Sequence, residues 1–218
     1  MIKLNELNLN LSGKVILENV NLEINRGDKV ALFGASGAGK TSILHVMTGL
    51  YPSTHKSISI NGNKLNAHTL KDWRALCSYT GQTNIFQEDS VEEILKTPFK
   101  FHSNRMIKYD RDTALNLLET LNLDPVIMNS NPTPLSGGEK QRIAIARALL
   151  LNKEVLFLDE ITSALDDSNK KIVMNILSEI DSTIISISHD PQWLSFCNRH
   201  VELGSGKILN DRTTGDLK

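Results

Sequence analysis

The segment Gly34-Ala35-Ser36-Gly37-Ala38-Gly39-Lys40-Thr41 constrains this chain more than any other. An apolar run, Lys29-Val30-Ala31-Leu32-Phe33, precedes it and reads as a buried strand; Ser42-Ile43-Leu44-His45-Val46-Met47 follows and reads as the opening of a helix. A glycine loop between strand and helix is the setting that a phosphate-binding loop requires. Its glycines let the backbone turn tightly and aim successive N–H groups inward as an anion nest, and the helix N-terminus adds partial positive charge. Lys40 can reach the β- and γ-phosphates, and the Thr41 hydroxyl can take a place on Mg²⁺. The plain alternative is a glycine-rich turn. Average residue usage gives this pattern in only about 1% of chains this long, and the flanks lower that further, so nucleotide binding is the expectation.

Composition narrows the partners. The 218 residues suffice for one domain, or one domain with an inserted lobe. A formal net charge of −1 gives no global pull toward nucleic acid or anionic lipid, and neither is expected as a partner. Cys77 and Cys197 are too few and too far apart for a disulfide framework and fit a reducing compartment. The N-terminal residues lack a long apolar h-region, so no signal peptide is expected, and no apolar run approaches the length that spans a bilayer. Any membrane role must therefore come through a partner.

Along the chain, Ile2, Leu4, Leu7, Leu9 and Leu11 are separated by polar residues, and Val15, Ile16, Leu17, Val20, Leu22 and Ile24 follow. This patterning predicts half-buried strands of an antiparallel sheet. Gly49-Leu50-Tyr51-Pro52 ends the first helix, and Ser57–Gly62 reads as a strand entering a hairpin. From about Thr83 to Pro134 the pattern turns polar and helical, with Val91, Ile94, Leu95, Ala114, Leu115, Leu117, Leu118 and Leu121 at helical spacing and Pro98, Pro125, Pro132 and Pro134 as punctuation. This reads as a helical lobe (83–140) inserted into an α/β core (1–82 and 141–218). A strong helix through Ile143 and Leu149, an apolar strand at Glu154–Glu160 ending in two carboxylates, a helix from Ser168 to Ile180, a buried strand at Thr183–Asp190 with a histidine at its end and a hairpin near Val201–Ile208 complete the reading.

Asp159 and Glu160 sit where an apolar strand emerges, and ligands of parallel α/β sheets bind beyond the carboxyl ends of the strands. Asp159 is placed to hold Mg²⁺ and Glu160 to polarise an attacking water. Alone, the pair is better read as a solvated acidic turn; beside the phosphate loop, the catalytic reading prevails. Ser136-Gly137-Gly138-Glu139 fits a capping box, but two adjacent glycines are costly if capping is the only task. They make sense where backbone N–H groups approach an anion. His189, at a strand end, and Gln82, in a turn, gain weight only as members of the set.

The ordered set Gly34–Thr41, Gln82, Leu135–Glu139, Val155–Glu160, Ser163-Ala164-Leu165-Asp166 and His189 resembles the ATPase subunit of an ABC transporter over essentially the whole chain. In that family's terms these are the Walker A, Q-loop, signature, Walker B, D-loop and switch-histidine motifs. The resemblance implies a P-loop NTPase (RecA-like) α/β core, an N-terminal antiparallel β subdomain and an inserted helical signature subdomain. It implies ATP and Mg²⁺ as cofactors, with Thr41, Gln82 and Asp159 toward the metal. It further implies a head-to-tail homodimer sandwiching two ATP molecules, each between one chain's Gly34–Ser42 and the other chain's Ser136, Gly137, Gly138 and Glu139, with Asp166 crossing the interface. Glu160 would be the general base, Lys40 and His189 would contact the phosphates, and Gln82 would link the site to the helical lobe. A transmembrane permease subunit would dock near Thr83–Phe101, on the cytoplasmic face of the membrane.

Two departures stand out. The family usually carries an aromatic that stacks on adenine before the phosphate loop; the aligned residue here is Leu11, and residues 1–25 hold no aromatic. That implies weak ATP affinity or base selectivity, or a partner that completes the site, since base stacking contributes on the order of 1–3 kcal/mol. The signature ends in Glu139 rather than the commoner glutamine. The stretch Asp159–Lys170, the compact lobe and the short tail are similar to the small FetA-type ATPases implicated in iron export. Two other classes compete: a soluble ABC-type ATPase, disfavoured by the lack of a heptad run or basic patch, and a regulatory nucleotide-binding module, disfavoured by the intact Lys40, Asp159, Glu160 and His189.

Overall fold

The computed structural model describes residues 1–51 and 58–214; Pro52 and Ser57, expected at a helix end and a strand start, lie outside the described residues. The chain runs β1 (Ile2–Leu11), β2 (Lys14–Ile24), β3 (Lys29–Phe33), α1 (Lys40–Met47), β4 (Ile58–Ile60), β5 (Asn63–Lys64), α2 (Leu70–Ala75) and β6 (Cys77–Thr80). Then follow α3 (Val91–Lys96), α4 (Arg111–Thr120), α5 (Gly137–Leu149), β7 (Val155–Asp159), α6 (Asp167–Ser178), β8 (Thr183–Ile187), α7 (Pro191–Phe196), β9 (Arg199–Gly204) and β10 (Lys207–Thr213).

Two sheets form. The order β2-β1-β4-β5 is antiparallel throughout, as the alternation of residues 1–24 predicts. The order β10-β9-β3-β8-β7-β6 is parallel from β9 to β6, with β10 antiparallel at its edge. The central strands are buried and mostly apolar because both of their faces are covered, with Thr183 and Ser186 of β8 as buried hydroxyls. Val30, Leu32, Val155, Phe157, Ile185 and Ile187 join one core with α1 and the antiparallel sheet. Ala31, Leu156, Leu158 and Ile184 face the second core, against α3 to α7. The fold is thus a P-loop α/β core with an N-terminal antiparallel sheet and a helical lobe.

The lobe differs in detail from its sequence expectation. Val91, Ile94 and Leu95 of α3 and Ala114 and Leu118 of α4 do form one buried face. Residues 83–90, however, carry no helix, and Thr97–Lys100, His102–Asn104 and Pro125–Asn129 are short 3-10 turns. Pro98 and Pro125 lie in the first turns of two of them, where a missing N–H has no intrahelical partner to lose. Helix α5 runs unbroken across 140/141, the boundary drawn from the sequence, and its Ile143, Ile145 and Ala146 share a core with both α3 and β7.

Parallel pairing sets the mouth of the phosphate loop. β3 pairs with β9 as far as Phe33↔Glu202, so the next residue turns beside the β9 backbone. Gly34 does so at φ +133°, where a Cβ would stand 2.0 Å from the Leu203 carbonyl oxygen. Gly34→Ala should therefore cost roughly 1–3 kcal/mol of stability, read from urea denaturation; an unchanged midpoint would show that the loop yields.

Candidate functional site

The loop Gly34–Gly39 delivers the chain into α1, whose N-cap is Gly39 at φ 100° with no side-chain cap. A Cβ there would meet Leu17 Cδ2 at 2.7 Å, so glycine is required and the first N–H groups of α1 have no capping side chain to satisfy them. Ala35, Ser36 and Gly37 are exposed, Ala38 and Gly39 are buried, and Thr41 and Ser42 open the helix. Lys40 is only 7% exposed and donates to the carbonyls of Gly34 and Ala35 at 2.7 and 2.9 Å. The loop therefore brings an ammonium, backbone donors and a helix N-terminus into one concavity, the arrangement that binds a polyphosphate.

β7 ends at Asp159, which is 4% exposed, and the hydroxyls of Thr41 and Tyr79 donate to its carboxylate. Burial pushes its carboxyl above the ordinary range; the Glu160 charge adds to this, while the two hydroxyls and His45 oppose it. At Glu160 the chain turns left-handed, with φ 50°, its N–H held by the Ile187 carbonyl at 3.0 Å. A non-glycine residue there is strained by roughly 1–2 kcal/mol. The turn brings Glu160 to Gln82, whose Nε2 donates to Glu160 Oε2 at 2.6 Å. Thr41, Asp159 and Gln82 offer oxygen donors only: a hydroxyl, a buried carboxylate and, with Nε2 engaged by Glu160, the amide oxygen of Gln82. Such a set fits Mg²⁺, which is held through one or two carboxylates and substrate phosphates.

His189 stands exposed just past β8, the strand between β3 and β7. Its neighbours fix it: Ser188 N–H donates to the Leu32 carbonyl, and Asp190 caps α7 and pairs with Lys170 at 2.5 Å. The structure thus gathers Lys40, Thr41, Gln82, Asp159, Glu160 and His189 at the carboxyl ends of neighbouring strands.

Ser136, Gly137, Gly138 and Glu139 are elsewhere, at the N-terminus of α5. The capping box forms: Glu139 N–H donates to Ser136 Oγ at 3.2 Å, and Ser136 N–H and Oγ donate to Glu139 Oε2 at 2.8 and 2.7 Å. These bonds hold the Glu139 carboxyl below its usual range. Yet capping does not account for Gly137, where a Cβ would meet only Ala164 Cβ at an ordinary 3.8 Å; Gly138 approaches the Ala164 carbonyl more closely. Asp166, exposed, caps α6 by accepting from Asn169 N–H at 2.8 Å.

Buried Arg142 ties these two motifs together, a role that sequence reasoning missed. It donates to the Gly138 and Asn122 carbonyls at 3.3 and 2.6 Å and to Asn169 Oδ1 at 3.0 Å, and Asn169 Nδ2 in turn donates to Asp166. Only its place one turn after Gly138 hinted at this. The expected docking stretch Thr83–Phe101 borders a cleft of about 310 Å³, walled by Tyr79 of β6, Thr97, Phe101 and Asn104 of the lobe, and Arg147 of α5. Phe101 is 57% and Ile85 80% exposed. No helix among the described residues is long and apolar enough to cross a membrane.

A protein-family profile described as "ABC transporter" matches residues 17–163. The chain is 32% identical over 219 residues to the lipoprotein-releasing system ATP-binding protein LolD of Leptospira interrogans, covering 96% of this chain and 91% of that protein. It is 33% identical to the methionine import ATP-binding protein MetN 1 of Oenococcus oeni, covering 92% of this chain but 59% of that one. Among solved structures, the dimeric cassette MJ0796 superposes with a TM-score of 0.84 at 28% identity over 98% of both chains, and the same cassette is known dimeric in a post-hydrolysis state with ADP and Pi.

The buried carboxylate yields a prediction. A carboxyl with a raised pKa stabilises the fold below that pKa and loses this contribution as pH rises through it, so ionised Asp159 opposes folding at neutral pH. Asp159→Asn should raise the melting temperature of metal-free protein, by about 2–4 °C for each kcal/mol of relieved desolvation. The same variant should lose metal-dependent nucleotide binding; calorimetry with and without EDTA reads both.

Proposed function

This chain belongs to the ABC transporter family as an ATP-hydrolysing cassette, and from that premise we propose that it powers a membrane transporter by closing head-to-tail with a second copy over two ATP molecules. The observation that carries the proposal is the junction of Gln82, Glu160, Asp159 and Thr41, which joins a Gln82–Glu160 contact of 2.6 Å to the phosphate loop. The loop Gly34–Ser42 takes the triphosphate, and Lys40 leaves the carbonyls of Gly34 and Ala35 to meet it. Thr41, Asp159 and Gln82 hold Mg²⁺, which when bound neutralises charge on the β- and γ-phosphates. Glu160 accepts the proton of the attacking water, and His189 contacts the γ-phosphate from the neighbouring strand end.

Ser136, Gly137, Gly138 and Glu139 complete the other chain's nucleotide site. Two observations support this: Gly137 has no steric need for glycine within its own chain, and the signature residues are bonded to α5 rather than to their own phosphate loop. Asp166, tied to Gly138 through Asn169 and Arg142, is carried to the same interface. The permease subunit docks at the cleft beside Thr97 and Phe101, on the cytoplasmic face of the membrane. Metal export, the role of the FetA-type ATPases, rests on residues 159–170, the compact lobe and the short tail; the relatives named above carry labels of lipoprotein release and methionine import. The permease selects the cargo.

The regulatory-module reading is disfavoured because no member of the hydrolytic set is replaced. Glu160→Gln should lower ATP hydrolysis by about 10²–10⁴-fold, the usual contribution of a general base, and should trap an ATP-dependent dimer in size-exclusion chromatography. A variant that stays monomeric at saturating ATP would sink the sandwich mechanism.

A further inference from the structure

Tyr79 has no part in the mechanism above, yet it touches both of the features on which that mechanism depends. Strand β6 turns Ser78 and Thr80 into the core and leaves Tyr79 36% exposed. Tyr79 also lines the cleft shared with Phe101 and Arg147. Its hydroxyl donates to Asp159 Oδ2 at 3.4 Å. The same oxygen lies 3.4 Å from His45 Nε2, the two rings stand 5.9 Å apart, and His45 is braced edge-on by Tyr51 at 5.0 Å.

A carboxylate rotates easily about its last bond, because that torsion is broad and nearly two-fold. One hydrogen bond leaves such a group free to swing, whereas two from different directions fix its plane. Tyr79 supplies one from β6, and the Thr41 hydroxyl at the start of α1 favours the same charged carboxylate. We propose that Tyr79 is a positioning residue of the metal site, fixing the plane of the Asp159 carboxylate so that its oxygens are set for the cation before it arrives. The proposal rests on the reading of Asp159 as a metal holder.

The test is Tyr79→Phe, which keeps the ring in the cleft wall and removes only the donor. Mn²⁺ binding to the protein–ADP complex is followed by electron paramagnetic resonance, and ADP binding in EDTA by fluorescence of a labelled analogue. A hydrogen bond to a charged group contributes about 1.5–3 kcal/mol, and this one is long, so the expected rise in the Mn²⁺ half-saturation point is roughly tenfold. Metal-free ADP affinity should be unchanged. An unchanged Mn²⁺ midpoint overturns the proposal. So does an equal fall in both affinities, which is the signature of general loosening of the site. If the wild-type protein binds ADP but no Mn²⁺ with it, the metal-holding reading of Asp159 fails and the proposal fails with it.

Discussion

A parallel sheet buried on both faces must be covered on both, and the rest of this molecule follows from that requirement. β3, β7 and β8 send alternate residues into two separate cores. Helix α1 and the antiparallel sheet cover one face; α5, α6, α7 and the lobe cover the other. The strands run in one direction from β9 to β6, so their carboxyl ends share one edge, and the phosphate loop, Gln82, Asp159 and His189 meet there. No side chain needs a long reach to join the site, because the register of the sheet already brings each to the edge.

That edge is not a low-energy surface. Asp159 is buried beside the Tyr79 hydroxyl, Lys40 is buried against two backbone carbonyls, and Glu160 has a backbone conformation that L-residues avoid. Strain of this kind persists only where the surrounding structure over-determines it. Here the determinants are the Ile187 carbonyl on Glu160 N–H, the Leu203 backbone against Gly34 and Leu17 against Gly39.

A second polar centre organises the opposite end. The Arg142 guanidinium is spent on carbonyls and on Asn169, and so joins the start of α5, the end of α4 and the cap of α6. Its burial lowers its pKa against the opposing charges of Glu139 and Asp166, without threatening a charge that arginine keeps under all ordinary conditions. Gly138 and Asp166 are thereby linked through one buried side chain and Asn169.

The phosphate loop, the carboxylates of β7 and the alternation of residues 1–24 were legible in the sequence because each is a local pattern. Glycine spacing, an apolar run ending in two acids and period-two polarity all arise from a few consecutive residues. The helical lobe was legible only in outline: its apolar spacing marked α3 and α4, but 3-10 turns and an extended stretch at 83–90 leave no periodic trace. The capping box at Ser136 and Glu139 could be read, whereas the freedom at Gly137 could not, since it depends on where Ala164 lies. Tyr79 and Arg142 were invisible for the same reason. Their partners stand 80 and 27 residues away, at Asp159 and Asn169, and only the pairing of β6 with β7 and the packing of α5 on α6 bring them within hydrogen-bonding distance. Sequence determined which chemical groups this protein carries and which strand ends present them; tertiary structure decided which groups touch, because contact between distant segments is set by sheet register and helix packing rather than by neighbours in the chain.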